Sequence, residues 1–393
     1  MRVVQVNKYF WPPHLGGIEH SLLLLSRALA AREGFSCTAV VANEGRETVR
    51  EDVEGVDVLR VSRLFAAAST PVAPGFRGAL RREVLGKSRP DAPASAAGPA
   101  DVVHLHSPYP WGELSWRYSG LAAPSVLTYH SDIVRQKVLG SLYAPFLRSA
   151  LAKVDRIIVG SPQMIDSSPF LAPVAEKCRV VPFAIDVPRY LGDDATLGRA
   201  VELRRGHERP IVLFVGRLVY YKGADVLVEA MRDVDADLVV IGRGPLEADL
   251  RAVAETGGFA DRITFLAPVD EPELVAWYHA ADVFVLPSVA VSEAYGLVQL
   301  EAHAAGTPVV STDLPTGVPF VNPDGVTGLI VPPSDSAALA GALQKLTGDE
   351  QLRTRLGAQA RERVLAEFTV DRMVDRIVDV YQEAIDVRQG AGR

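Results

Sequence analysis

The sequence has few cysteines and no long apolar run. Its two cysteines, Cys37 and Cys178, are too few for a disulfide framework, and we expect both to be small buried side chains in a reducing compartment. No stretch of about 18 apolar residues free of charge occurs, so no transmembrane helix is expected. Residues 1–13 lack the basic start and long apolar run of a signal peptide, which predicts a cytoplasmic protein.

The sequence also lacks an excess of positive charge. Its formal net charge is −7, which argues against a nucleic-acid-binding protein. The charge is uneven, because residues 1–185 carry +5 and the remainder carries −12. Two interpretations stay open, a drift of surface charge or an N-terminal half that contacts something anionic, such as a phosphorylated acceptor or a membrane surface. In the second case the protein would be peripheral at the inner face of the cell membrane.

Short β-branched runs alternate with amphipathic helical stretches along the chain. This alternation predicts parallel sheets covered by helices on both faces, which is an α/β fold. The runs lie at residues 3–6, 37–42, 57–61, 101–106, 125–130 and 156–161, and then at 210–216, 236–242, 262–268, 282–288, 307–312 and 328–333. Because each series opens with a strand, a glycine-containing loop and a helix, we expect two doubly wound, Rossmann-like domains facing a central cleft.

Composition sets the expected domain boundaries. Residues 187–208 are polar and carry Pro, Gly and Asp, which predicts a linker. The linker would join an N-terminal domain of residues 1–186 to a C-terminal domain of residues 209–370.

Residues 75–87 alternate basic and apolar side chains. On a helix Phe76, Leu80 and Val84 would share one face, while basic residues would occupy another. A solvated surface helix and a membrane-surface helix both fit this pattern.

The sequence has no G-x-G-x-x-G fingerprint after its first strand, which disfavours a dehydrogenase. The turn there reads HLGGIEH, residues 14–20. Gly16 and Gly17 would let a ligand phosphate or sugar approach the backbone closely. A plain turn at the start of a helix is the alternative.

Two glutamates interrupt the apolar stretch SEAYGLVQLEAHAAGTPVV, residues 292–310. The sequence Gly-Thr-Pro at 306–308 predicts the end of a helix, which we expect to begin near Gly296. Glu293 then lies in the preceding loop and Glu301 lies inside the helix. Because helical side chains lean toward the N-terminus, Glu301 should point to the mouth where Glu293 lies.

The N-terminus of this helix also suits a phosphate, since it offers unpaired backbone N–H groups and a positive dipole end. Glu293 and Glu301 would repel a phosphate unless they accept hydrogen bonds from hydroxyl groups. A ligand that combines sugar hydroxyls with phosphate satisfies both features. Two alternatives stay open. One is that the two glutamates are the catalytic pair of a glycosidase. Such carboxyls lie about 5–9.5 Å apart, whereas eight residues of helix would separate them by about 12 Å. The other is that the helix is solvated and its glutamates are ordinary surface side chains.

Two cations follow a predicted strand in FVGRLVYYKG, residues 214–223. Arg217 and Lys222 at the carboxyl end of that strand would neutralise a leaving diphosphate. The alternative is that both are ordinary surface charges.

Three histidines close predicted strands. His130 ends the strand 125–130 and should open onto the cleft, although a structural histidine is an alternative. Of His104 and His106, we expect one to face the core and the other to face the cleft mouth. The acidic run 233–237 should lie at the amino end of a strand, away from the site, so it predicts a turn and no metal site is expected.

Taken together, these residues resemble the retaining glycosyltransferases of family 4, which have the GT-B fold. The resemblance rests on GGIEH, HSD, GRLVYYKG, IGRGP, SEAYGLVQLEAHAAGTPVV and GVTGLIVPP, which occur across both halves in the family's order. It implies that Glu301 holds the ribose hydroxyls of a nucleotide and that Glu293 holds hydroxyls of the donor sugar. It also implies that a final helix, residues 371–393, crosses back onto the N-terminal domain.

The resemblance implies further residues around the nucleotide sugar. They are Arg217 and Lys222 on the diphosphate, Gly16 and Gly17 approaching it from the other domain, His130 beside the transferred sugar, and the backbone of Ala294, Tyr295, Gly296 and Leu297 along the sugar and diphosphate.

The implied activity is hexosyl transfer from a nucleoside diphosphate sugar with retained anomeric configuration and without a metal or other cofactor. Residues 292–322 resemble enzymes of O-antigen and exopolysaccharide assembly, which favours a GDP-mannose-type donor over a UDP-sugar. The expected acceptor is a saccharide, free or lipid-linked. Two other classes remain open, a nucleotide-sugar epimerase of GT-B fold and a non-catalytic nucleotide-sugar-binding protein.

Overall fold

The structure, a computed structural model, describes residues 1–13, 16–67, 70–87, 93, 96–132 and 137–390. The chain forms two compact units. The first unit consists of Met1–Phe183 together with Val370–Arg393, and the second consists of Ala184–Thr369.

The first unit contains a sheet with the strand order β10-β9-β8-β7-β1-β2-β4-β3. Its strands are β1 (Arg2–Val6), β2 (Ser36–Ala42), β3 (Val49–Val53), β4 (Val56–Val61), β7 (Val102–Ser107), β8 (Ser125–Tyr129), β9 (Arg156–Val159) and β10 (Cys178–Val180). All neighbours pair in parallel except β3, which pairs antiparallel with β4. A separate antiparallel hairpin is formed by β5 (Phe65–Ala67) and β6 (Thr70–Val72).

Helices connect the strands of the first unit. They are α1 (Gly17–Ala31), α2 (Phe76–Val84), α3 (Pro110–Arg117), α4 (Lys137–Lys153) and α5 (Pro162–Ser167). Strands β1, β7 and β8 are buried at every position. Since successive side chains of a strand point to opposite faces, these strands are covered on both sides, as predicted from their β-branched runs.

The second unit contains a parallel sheet with the order β13-β12-β11-β14-β15-β16. Its strands are β11 (Ile211–Val215), β12 (Asp237–Ile241), β13 (Ile263–Leu266), β14 (Val283–Leu286), β15 (Val309–Thr312) and β16 (Gly328–Val331). Its helices are α6 (Val187–Tyr190), α7 (Asp194–Arg205), α8 (Ala224–Ala230), α9 (Glu247–Gly257), α10 (Glu271–Ala280), α11 (Val298–Ala305), α12 (Val318–Val321), α13 (Ser336–Gly348) and α14 (Glu350–Glu367).

The last helix, α15 (Val370–Gly390), belongs to the first unit. Its buried residues recur at helical spacing and are Met373, Val374, Ile377, Val380, Tyr381 and Ala384. Arg156 and Arg179 both donate to Glu383 on its outer side. Residues 391–393 of the predicted final helix lie outside the described residues.

The prediction that residues 187–208 form a linker is wrong. This segment carries α6 and α7 and is part of the second unit, which begins at Ala184. Helix α7 packs on α10, where the Arg199 guanidinium donates to the Glu273 carboxylate at 2.8 Å. The polar composition reflects a surface helix joined by ion pairs, whose partners lie far along the chain.

Helix α2 corrects one interpretation of residues 75–87. Phe76, Leu80 and Val84 do share a face, but that face is buried in the core of the first unit, with Phe76 edge-on to Tyr109. It is therefore not available for insertion into a membrane. Among the described residues, we find no helix with both the length and the apolar character needed to span a bilayer.

Each main sheet reverses its winding direction beside a central strand. In the first sheet β2 and β7 flank β1, and in the second β12 and β14 flank β11. Loops that leave two such strands in opposite directions open a crevice at their carboxyl ends, which is where doubly wound proteins bind ligands.

Candidate active site

The winding reversal of the second sheet brings two loops together. The loop after β11 contains Gly216, Arg217 and a short 3-10 turn, Tyr220–Lys222. The loop after β14 leads through Ser288 toward α11. A backbone hydrogen bond from Val289 N to Tyr221 O, 2.9 Å long, ties the two loops together.

Lys222 and Glu293 form an ion pair between these loops. The Lys222 Nζ lies 2.6 Å from Glu293 Oε2, and the two side chains are only 13% and 10% exposed. The Ser288 hydroxyl donates to the same carboxylate oxygen at 3.2 Å. A buried carboxylate with a cation on one side is fixed in orientation, so its other oxygen is available as an acceptor for a ligand hydroxyl.

Gly223 allows the loops to approach this closely. Its φ is +67°, and a Cβ atom added there would lie 1.9 Å from the Pro287 carbonyl oxygen. Glycine is therefore required both by the backbone conformation and by the contact.

Replacing Gly223 with alanine is expected to lower the free energy of unfolding by about 3 kcal/mol, because the loops must separate and the backbone is strained. Urea unfolding of the purified chain measures this loss. Gly258→Ala is the matched control, since Gly258 has φ +75° but nothing within 4 Å of the added atom. Equal stability of the two variants would contradict the close contact between the loops.

Arg217 is exposed at the start of the first loop. Its guanidinium donates to the Tyr221 hydroxyl at 2.9 Å. This contact uses one of the five guanidinium donors, so Arg217 can still bind an anion bidentately.

Helix α11 begins at Val298 and ends before Gly306, whose φ is +84°, close to the predicted limits. Glu301 lies in its first turn and is partly buried. The Tyr278 hydroxyl of α10 donates to Glu301 Oε2 at 2.6 Å. A carboxylate offers about four acceptor positions, so Glu301 can accept from the protein and also from a ligand hydroxyl.

Burial raises the pKa of Glu301 above its ordinary value. Hydrogen bonds from Tyr278 and Tyr190 and the positive charge of Lys222 act in the opposite direction. Lys222, which forms the ion pair with Glu293, therefore also acts electrostatically on Glu301.

The segment between the two glutamates is hydrogen-bonded to the loop that follows β15. Ala294 O accepts from Gly317 N at 2.8 Å, and the Tyr295 side chain is buried. Gly296 has φ +73°, and Leu297 is the residue that caps α11.

The remaining predicted residues lie in the first unit. Gly16 precedes α1 in an extended conformation, Gly17 begins that helix, and Gly16 O accepts from His20 N at 2.9 Å. His14 and Leu15 of the same turn lie outside the described residues. His130 follows β8, is 6% exposed and stacks between Phe183 and His106.

The structure adds residues that the sequence patterns did not indicate. Ser288, Tyr278 and Tyr190 support the two glutamates, but isolated hydroxyls carry no motif. The expectation for His104 and His106 is wrong, because both are fully buried. Residues two apart on a strand point to the same face, and that periodicity should have excluded opposite directions.

Two family models match the chain. The model described as Glycosyltransferase Family 4 matches residues 15–189. The model described as Glycosyl transferases group 1 matches residues 200–363, which include the Lys222–Glu293 pair and Glu301.

Two similar proteins have been assigned activities. The O-antigen chain mannosyltransferase C of Escherichia coli is 32% identical over 386 residues, covering 98% of this chain and 99% of that protein. The D-rhamnosyltransferase WbpZ of Pseudomonas aeruginosa is 38% identical over 273 residues, covering 70% of this chain and 71% of that protein.

A solved structure of the same architecture is Anabaena Alr3699/HepE in complex with UDP. It superposes with a TM-score of 0.78 at 16% identity, covering 97% of this chain and 100% of that one. At this identity the likeness shows the fold, which is GT-B. The chain therefore has the GT-B fold, belongs to the family 4 and group 1 glycosyltransferases, and is a hexosyltransferase.

Proposed function

We propose that this enzyme moves a hexose from a nucleoside diphosphate sugar to a saccharide or lipid-linked saccharide in cell-surface polysaccharide assembly. The favoured donor is of the GDP-mannose type, with a UDP-sugar as the alternative. The anomeric configuration is retained in the proposed reaction.

The Lys222–Glu293 pair, with Glu301 on the adjoining helix, is the observation that carries the proposal. An ammonium group has three N–H donors, and Glu293 takes one, so the others can serve phosphate oxygens. The two supported carboxylates can each accept from hydroxyl groups. A nucleoside diphosphate sugar offers hydroxyls on both sides of a diphosphate, which matches this arrangement of charges.

The names of similar proteins support the donor class. HepE is in complex with UDP in its solved structure, the Escherichia coli protein is a mannosyltransferase, and the Pseudomonas protein is a D-rhamnosyltransferase. Together these names support the proposal of a nucleotide-linked hexose, and the E. coli protein, which is similar over 98% of this chain, favours mannose.

We further propose that Gly16, Gly17 and His130 of the first unit also contribute to binding of the donor. The exposed basic side chains Arg77, Arg82 and Lys87 of the first unit support contact with an anionic acceptor or with the inner membrane face.

The proposed reaction proceeds on one face of the sugar. The bond between the anomeric carbon and the diphosphate breaks, and the acceptor oxygen bonds to that carbon from the same side. The acceptor proton passes to an oxygen of the leaving phosphate. Arg217 and Lys222 stabilise the departing negative charge, so the proposal requires no metal.

Transfer assays with the full chain test this proposal. GDP-mannose and UDP-glucose are each incubated with lipid-linked oligosaccharide acceptors, with and without EDTA. We expect transfer from GDP-mannose, no effect of EDTA, and a product with the donor's anomeric configuration by NMR. An inverted product would contradict retention, and loss of transfer with EDTA would contradict metal independence.

Incubation with donor alone separates the other classes. A changed donor sugar without acceptor would indicate an epimerase, and binding without turnover across the acceptors would indicate a binding protein. Calorimetric titration with GDP, UDP and ADP identifies the base. Tighter binding of UDP than of GDP would overturn the GDP-mannose assignment while leaving the nucleotide site intact.

A further inference from the structure

The first sheet carries a row of polar side chains on one buried face. Gln5 of β1 lies opposite His104 of β7, and His106 lies opposite Thr128 of β8, with His130 two residues further. All five residues are less than 10% exposed. Buried hydrogen-bonding groups are costly without partners, whereas a fully hydrogen-bonded buried row fixes the orientation of each of its members.

One end of the row leads to His130. The Gln5 Oε1 lies 2.8 Å from His106 Nε2, and His106 Nδ1 lies 3.0 Å from His130 Nε2. A carbonyl oxygen only accepts, so His106 carries its proton on Nε2. Its Nδ1 is then an acceptor, and His130 must donate from Nε2.

The other end of the row leads to α15. The Gln5 Nε2 donates to the Tyr381 hydroxyl at 3.4 Å, and the hydroxyl oxygen lies 2.7 Å from His104 Nδ1. His104 Nε2 lies 2.7 Å from Thr128 Oγ1, and it is the donor to Thr128 when the Tyr381 hydroxyl donates to Nδ1. The Gln5 amide is thus fixed between Tyr381 on one side and His106 on the other.

The imidazoles remain neutral at physiological pH, as this pattern requires. Burial lowers the pKa of His104 and of His130 to about 3, and it lowers the pKa of His106 well below its ordinary value. Burial also raises the pKa of Tyr381, which therefore keeps its proton. Each neutral ring then has one donor nitrogen and one acceptor nitrogen.

We propose that Gln5, His106 and Tyr381 are positioning residues that hold His130 in the Nε2–H tautomer and leave a lone pair on Nδ1. This assignment rests on the proposed function, in which His130 lies beside the transferred sugar. An unprotonated Nδ1 accepts a hydrogen bond from a sugar hydroxyl and cannot donate one. We call the hydrogen-bonded series Tyr381, Gln5, His106 and His130 the relay. By fixing the His130 tautomer, the relay would select the orientation of that hydroxyl during transfer.

Turning the Gln5 amide over would reverse every donor in the relay. His106 would then receive a proton from the amide and donate from Nδ1, and His130 would become the Nδ1–H tautomer. The two arrangements are mutually exclusive, so one spectroscopic observation on His130 decides between them.

Nitrogen-15 NMR of the full chain with labelled histidine reads the tautomer directly, because protonated and unprotonated ring nitrogens have well-separated shifts. His130→Asn assigns the resonances. We expect an unprotonated Nδ1 and a protonated Nε2 for His130 in the unsubstituted protein. A protonated Nδ1 would overturn the proposal, whether or not any donor supports transfer.

Tyr381→Phe tests the relay through α15. Loss of the hydroxyl removes one partner each from Gln5 and His104, so we expect mixed His130 tautomers and about a tenfold lower kcat, with the donor KM within about twofold. Gln5→Leu should act in the same direction. Tyr109→Phe is the matched control, because Tyr109 is a buried tyrosine of the same unit whose hydroxyl has no hydrogen-bond partner among the described residues.

The control separates a relay from a packing effect. If Tyr381→Phe and Tyr109→Phe give the same histidine spectrum and the same kcat, the relay does not position His130. If transfer fails with every donor, the proposed function fails, and the spectra still decide the tautomer.

Discussion

Replacing Lys222 with methionine is expected to lower kcat by about 1,000-fold. The substitution gives an unbranched apolar side chain of similar length. It removes the partner of the Glu293 carboxylate, 2.6 Å away, and with it the cation that stabilises the departing diphosphate in the proposed reaction. Steady-state transfer with a saturating donor measures the loss. Glu293→Gln should reduce kcat by a similar factor, because it removes the charge that orients Lys222 and that, in the proposed site, accepts hydrogen bonds from the sugar.

A double variant separates catalysis from folding. Lys222→Met alone leaves a buried carboxylate without its cation, which destabilises the fold. Lys222→Met combined with Glu293→Gln should recover stability in urea but not activity. Glu229→Gln, on an exposed residue of α8, is the control that should keep both. Transfer at the unsubstituted rate in either single variant would refute the assignment of the pair to the donor site.

Replacing Glu301 with alanine is expected to raise the donor KM by about 100-fold with a smaller effect on kcat. The side chain would accept from ribose hydroxyls, and hydrogen bonds to a charged group contribute about 1.5–3 kcal/mol each. Tyr278→Phe, which removes the 2.6 Å support of Glu301, should give a smaller rise in the same direction.

Binding of deoxynucleotides tests whether Glu301 contacts the ribose hydroxyls. Calorimetry should show that the unsubstituted enzyme binds a 2′,3′-dideoxynucleoside diphosphate more weakly than the ribonucleotide, whereas Glu301→Ala should not distinguish them. Glu362→Gln, an exposed position of α14, should behave as the unsubstituted enzyme. If Glu301→Ala weakens both nucleotides equally and still discriminates between them, Glu301 does not bind the ribose.

The parallel sheets and the limits of α11 were predictable from the sequence because they depend on local signals. Apolar β-branched runs locate strands buried on both faces, and a Gly-Thr-Pro stop locates the end of a helix. Strand β3, with the sequence VREDV, was not predicted, because an exposed edge strand needs no apolar run.

The contacts that support the site were less predictable. The ion pair of Lys222 with Glu293 and the hydrogen bond of Tyr278 with Glu301 join residues that are distant in sequence. Their geometry follows from the order of the strands in the sheet, and a single sequence does not contain that order. The same limit explains why α7 was mistaken for part of a linker, since its partner Glu273 lies on another helix.

The first unit is made from two stretches of chain that flank the second unit in sequence. Ile185 and Thr369 form a parallel bridge, and Ile185 N donates to Phe368 O at 3.2 Å, so the chain enters and leaves the second unit side by side. The second unit is therefore an insertion with adjacent ends. During synthesis it leaves the ribosome whole before α15 emerges, so the unit that starts first is completed last. Until then the buried polar row of the first sheet lacks Tyr381, so the proposed positioning of His130 is not yet in place in the nascent chain.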